Sequence, residues 1–159
     1  MKITILSVGK LKEKYLKDAV DEYSKRLSRY CKLEFIEVAD EKTFEQASKK
    51  EEIQIREKEG ERLLGYIRKD AYVITLEIIG DELTSEQFAE KIEKLGVTGK
   101  SHIYFVIGGS IGLGENIRRR SDYRLSFSKM TYPHQLMRII LLEQIYRGYK
   151  IVSGEPYHK

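Results

Sequence analysis

Residues 103 to 116, IYFVIGGSIGLGEN, run from an apolar, β-branched stretch straight into a glycine-rich turn and then to a helix start at Glu115 and Asn116. Few architectures accept that order. Glycines at 108, 109, 112 and 114 leave the backbone uncovered where the strand ends. In an open α/β sheet, ligands sit at the carboxyl ends of the strands. Bare backbone N–H groups there can approach a ligand that a Cβ would block. The segment predicts an α/β domain that takes a small ligand at this turn, although glycine clusters also serve simply as tight turns.

The rest of the chain alternates between the strand period and the helix period. KITILSV (Lys2–Val8) reads as a buried strand. Leu16, Val20, Tyr23, Leu27 and Tyr30 follow at helical steps, and LEFIEV (33–38) alternates like a strand with one wet face. The charged stretch 44–69 carries Ile53, Gly60, Leu63, Leu64 and Ile67 on one side, so it reads as one surface helix with i,i+4 charge pairs. AYVITLEII (71–79) is a core strand. Thr84 or Ser85, followed by Glu86 and Gln87, caps a helix over 86–95. YRLSF (123–127) is a last strand, and Pro133 stands where the first turn of a helix over 134–149 tolerates proline. Strands alternating with helices predict one domain over residues 1–159, α/β, with a mainly parallel sheet and helices on both faces.

The last helix, HQLMRIILLEQIYR, is apolar at 136, 137, 139, 140, 141, 142, 145 and 146, almost all the way round. One stripe suffices for a lone surface helix. A central core helix shares this pattern. In a chain this short we read it as a helix covered partly by its own domain and partly by a second copy.

Other chemistries are poorly served. The spacing of Gly109 to Gly114 matches a P-loop, but Glu115 stands where lysine is needed. The glycines run GGxxGxG rather than GxGxxG, which weakens a nicotinamide reading. His102, His134 and His158 show no ligand spacing and Cys31 is the only cysteine, so no metal is expected. The single cysteine fits a cytoplasmic protein. No run approaches the roughly 18 apolar residues of a membrane span. Without a nucleophile elbow, a reactive group would arrive on the cosubstrate.

Net charge is +4, and the basic residues gather late: Arg118, Arg119 and Arg120 are consecutive, followed by Arg124, Lys129, Arg138, Arg147 and Lys150. Tyr104, Tyr123, Tyr132, Tyr146, Tyr149 and Tyr157 lie among them. Cations with stacking aromatics suit RNA, though charge runs are usually just solvated faces. The tail ends in Tyr157, His158 and Lys159: a stacker, a proton carrier and a phosphate clamp.

Together, VITLEIIG, IYFVIGGSIGLG, LSFSKMTYPHQLMRIILLEQIYR and the terminal PYHK resemble the bacterial large-subunit rRNA pseudouridine-N3 methyltransferases (the RlmH family) of the SPOUT superfamily, over the whole chain. The resemblance implies a C-terminal trefoil knot, a homodimer, and S-adenosylmethionine held at the knot near the dimer interface. It implies a cosubstrate pocket lined by Leu76, Gly108, Phe127, Ser128, Lys129, Met130, Thr131 and Tyr132. Tyr157 and His158 match the family's PYH tail and would lie near the target base. The substrate implied is 23S rRNA in the assembled 70S ribosome, with no DNA and no membrane. Ser110 and Ile111 replace the proline and glutamate of the more usual GGPEGL turn, which leaves no role for a loop carboxylate.

On this reading His158 is the base, or the group that favours the anion; Tyr157 orients the target, and Arg138 or Lys159 holds phosphate. Two alternatives stay open: a non-catalytic ribosome-associated RNA-binding factor, and a SPOUT methyltransferase acting on tRNA.

Overall fold

The computed structural model describes residues 1–159. Its strands are β1 (Lys2–Val8), β2 (Lys32–Val38), β3 (Tyr72–Glu82), β4 (His102–Ile107) and β5 (Tyr123–Ser126). Its helices are α1 (Lys14–Leu27), α2 (Lys49–Leu64), α3 (Ser85–Val97), α4 (Glu115–Arg120) and α5 (His134–Val152). The strands form one sheet in the order β2-β1-β4-β3-β5, with every neighbouring pair parallel.

Burial follows the pleat. In β1 and β4 almost every residue is buried, as expected of strands covered on both faces. Successive side chains point to opposite faces. Ile3, Ile5, Ile103, Phe105 and Ile107 enter one core layer with α3 and α5, while Leu6, Val8, Tyr104 and Val106 enter the other with Leu63 of α2 and Ile117 of α4. Phe105 lies opposite Ile5 on one side and Ile74 on the other. Each such fully buried side chain contributes about 1.5–3 kcal/mol relative to exposure.

The helix over 44–69 is shorter than its charge pattern predicts. It begins at Lys49, because Ser48 accepts from the Glu51 N–H and the Glu51 carboxylate reaches back to Ser48 N–H, a capping box. Residues 44–47 form a turn closed by Ala47 N–H on Phe44 O. Thr84 and Gln87 make the same box at α3. Pro133 is the N-cap of α5 rather than a first-turn residue, and α5 runs one turn further than 149, to Val152.

The second departure shapes the site. β3 continues past Ile79 to Glu82, and its pairing with β5 slips, since both Leu76 and Asp81 face Leu125. The intervening residues bulge out of the ladder. A bulge re-aims side chains, and here it turns Glu77, Ile78 and Ile79 toward the carboxyl end of the sheet.

Candidate functional site

Three segments at the carboxyl ends of β3, β4 and β5 enclose a cavity of about 830 Å³ with the first turn of α5. That volume is typical of a small-ligand site. The β3 bulge supplies one wall. The turn after β4 supplies the second. Gly112 adopts φ +84°, a conformation that penalises side chains, and the Gly112 N–H closes the turn on Gly109 O at 3.1 Å. A Cβ on Gly108 would come within 2.8 Å of the Gly112 backbone, so only glycine lets the turn fold that tightly. The third wall is the segment between β5 and α5. Ser126 Oγ donates to Ser128 O at 3.0 Å, and the Met130 N–H donates to Ser128 Oγ at 2.9 Å, which curls the chain around the cavity.

Of the eight residues expected to hold the cosubstrate, Leu76, Gly108, Phe127, Ser128, Met130, Thr131 and Tyr132 all line this cavity; Lys129 is exposed and does not. Leu76, Ile107, Leu125, Phe127 and Met137 give an apolar lining suited to an aromatic base.

The polar groups of the wall were not legible as a site. Glu77, with a side chain only 6% exposed, accepts from Arg118 Nε at 2.6 Å and from Thr75 Oγ1 at 2.8 Å, and Arg124 stands 3.5 Å away. The one signal was a carboxylate inside the apolar run VITLEII. His134, at the start of α5, also lines the cavity, and burial, reinforced by the nearby Arg138 cation, holds its imidazole pKa below the ordinary value. It stays neutral near pH 7. The three consecutive arginines go to three places. Arg118 joins the cavity, Arg119 is exposed, and Arg120 ties Asp122 and the Arg68 and Ala71 carbonyls together.

Arg138 requires a correction. It is 3% exposed, paired with Glu37 and donating to the Val8 and Gly9 carbonyls. Its charge fastens α5 to the end of β1 and cannot clamp a phosphate. Lys159 is exposed.

The tail is neither frayed nor beside this cavity. Glu155 pairs with Lys150 at 2.7 Å and accepts from Tyr30 Oη at 2.8 Å. Tyr157 Oη donates to Glu143 at 3.0 Å, with the Arg147 guanidinium over its ring. Burial, then that carboxylate, raises the Tyr157 pKa, so the phenol keeps its proton. His158 lies between Arg147 Nη1, 3.1 Å from Nδ1, and Glu86, 2.8 Å from Nε2. Arginine only donates, so Nδ1 accepts and the hydrogen sits on Nε2, facing the carboxylate. Both ring nitrogens are engaged. Glu143 and Arg147 lie nine and thirteen residues beyond His134, about 14 and 20 Å along the helix at 1.5 Å per residue. The structure therefore gathers seven of the eight expected residues into one cavity and holds Tyr157 and His158 at the far end of α5.

A family model described as "Predicted SPOUT methyltransferase" matches residues 1–158. The chain is 67% identical to the "Ribosomal RNA large subunit methyltransferase H" of Bifidobacterium adolescentis and 64% identical to that of Clostridium tetani, in each case over the full length of both chains. Its fold is similar to the solved structure of "a probable methylase family protein" from Haemophilus influenzae Rd KW20, with a TM-score of 0.57 and 12% identity over 99% of this chain and 70% of the other.

Proposed function

The chain belongs to the SPOUT methyltransferase family, and from that premise we propose that it is an S-adenosylmethionine-dependent enzyme that methylates N3 of a pseudouridine in 23S rRNA within the assembled ribosome. The observation that carries this reading is the cavity at the ends of β3, β4 and β5, walled by the bulge, the glycine turn and the curled segment before α5. Its residues suit the cosubstrate. The apolar lining accepts adenine, the uncovered glycine backbone can meet polar edges, and the Glu77 carboxylate with the neutral His134 tolerates a sulfonium cation. S-adenosylmethionine supplies an electrophilic methyl group there, so that N3 gives up its proton as the N–C bond forms and the C–S bond breaks. The C-terminal segment that wraps this cavity is the part that would thread as a trefoil knot.

The chain's own residues then position the reactants and manage one proton. Phe127 and Leu76 pack the cosubstrate, and the glycine turn fixes its orientation. Tyr157 and His158 serve the target base. In one copy they lie too far along α5 to reach the cavity beside them, so the tail acts on the site of a second copy. An apolar surface supports such a pair: Ile79 is 89% and Leu136 38% exposed, and Ile78, Met130 and Tyr132 are also exposed around the mouth. For His158 to take the proton of N3, substrate must displace Arg147 from Nδ1, the ring nitrogen that carries the free lone pair. Lys159, Lys129 and Arg124 are exposed cations suited to rRNA phosphates.

The test is methyl transfer from labelled S-adenosylmethionine to 70S ribosomes, 50S subunits, free 23S rRNA and bulk tRNA in parallel, with the labelled nucleoside identified by mass spectrometry. Label on 3-methylpseudouridine in 70S ribosomes is expected. Label on tRNA overturns the substrate. Cosubstrate binding without transfer to any of the four overturns the reaction.

A further inference from the structure

Glu59 of α2 is 4% exposed and lies directly behind the glycine turn. Its Oε2 accepts from the Glu41 N–H at 3.0 Å, while its Oε1 is buried with no hydrogen-bond partner. Burial raises its pKa, the hydrogen bond from the Glu41 N–H works against that, the Asp40 and Glu41 charges add to the rise, and Arg62, bound to Glu41 and the Ala39 carbonyl, opposes it. A buried acceptor left empty is costly, and native proteins carry few of them.

Against this oxygen lies the backbone of the glycine turn. A methyl group on the Gly109 Cα would sit 3.4 Å from Oε1 and 3.5 Å from Oε2, so the bare glycine brings the turn's backbone against the carboxylate. At the tip of the turn, the N–H groups of Ser110 and Ile111 donate to no acceptor in the chain. The remaining contacts from α2 fasten the turn and the start of α4 from behind: Arg56 Nη1 to Ile111 O at 3.4 Å, and Asn116 Nδ2 to Glu57 O at 2.9 Å. Those contacts leave Glu59 as the acceptor with capacity to spare.

We propose that Glu59 is a positioning residue for the cosubstrate: as the glycine turn settles onto its ligand, a backbone N–H of the 109–111 stretch donates to Oε1 and holds the turn in its binding conformation. This rests on the reading that the cavity takes S-adenosylmethionine. Glu59 has one oxygen bonded and one waiting, and the segment it faces is the ligand-binding wall itself.

The test compares the wild-type chain with Glu59→Gln. Glutamine keeps the shape and leaves one oxygen for the Glu41 N–H, but presents an NH₂ group where the turn needs an acceptor. Titration calorimetry with S-adenosylmethionine should show affinity falling at least tenfold, with the unfolding midpoint of the ligand-free chain maintained. Amide signals of Ser110 and Ile111 should gain exchange protection on adding S-adenosylmethionine to the wild type and fail to do so in the variant. Equal affinities in the two chains, or a loss of affinity that tracks a loss of stability, overturns the proposal. Absence of binding by the wild type sinks the cosubstrate reading and this proposal with it, and so is distinct from a wild type that binds and a variant that binds as well.

Discussion

The Glu77 carboxylate and the Arg118 guanidinium meet at 2.6 Å in the wall of the cavity, the acid nearly buried and the base partly open to solvent. The β3 bulge creates this relationship, because an unbroken ladder would turn Glu77 elsewhere. Removing the acid leaves Arg118 and Arg124 facing each other without compensation. Glu77→Ala should lower stability by about 1–3 kcal/mol, the usual loss when a hydrogen-bonded charge loses its partner. Adding Arg118→Gln should restore part of it. Denaturant titration of the double-mutant cycle reads the coupling, and strict additivity would count against the pair.

His134 gives the cavity a pH response. Its pKa lies below the ordinary 6.5, so the folded chain binds fewer protons than the unfolded one beneath that value. Stability from this group is complete above pH 6.5 and is lost as pH falls through the lowered pKa. Protonation also places a cation in the cavity wall. Affinity for the sulfonium cosubstrate should weaken over the same interval, and His134→Asn should flatten both curves. A wild-type affinity that stays level as pH falls from 7.5 until the chain unfolds would be inconsistent with this.

Variants of the tail should separate transfer from cosubstrate binding. His158→Ala should cut turnover by at least about a hundredfold, the low end of general acid–base contributions, while S-adenosylmethionine affinity changes little. Tyr157→Phe removes the hydrogen bond to Glu143 and should have a smaller effect in the same direction. Equal losses of turnover and affinity would contradict the assignment.

Mixing a chain truncated after Glu155 with a full-length chain carrying Gly108→Leu should recover part of the methyl transfer, because each mixed pair keeps one intact tail opposite one intact cavity. Recovery of none would indicate that the tail serves its own subunit.

Cys31 should be inert. Burial pushes its thiol pKa up to about 11, beside Tyr149. A thiol reagent at pH 8 should label the native chain slowly and the unfolded chain at once. Rapid native labelling would mean that the α1–β2 turn opens readily.

Much of this fold was readable in advance, for identifiable reasons. β1 and β4 stand out because strands covered on both faces are apolar throughout. The capping box at Thr84 is local, and so was visible. The matching box at Ser48 was equally local, but it lay inside a charged run whose composition does not mark a boundary. Glycine, aspartate and glutamate at 80–82 look like the end of a strand, so the extension and register slip of β3 stayed hidden; they depend on β5, more than forty residues later. The cavity was legible through its glycines and through the family resemblance. Its charges were not. Glu77, Arg118 and Glu59 have meaning only in their pairings, and Arg138 looked like a surface cation until Glu37 and two carbonyls were found around it.

α5 begins at the cavity with His134 and carries, near its other end, the residues that fix Tyr157 and His158. Its 19 residues span about 28 Å. The helix thus acts as a ruler between cavity and tail. Inserting a single residue near Ile140 would turn everything beyond it by about 100° and carry it about 1.5 Å further on, without touching a catalytic group. Side chains along α5 can drift in identity, but its residue count sets where the tail stands relative to the cavity.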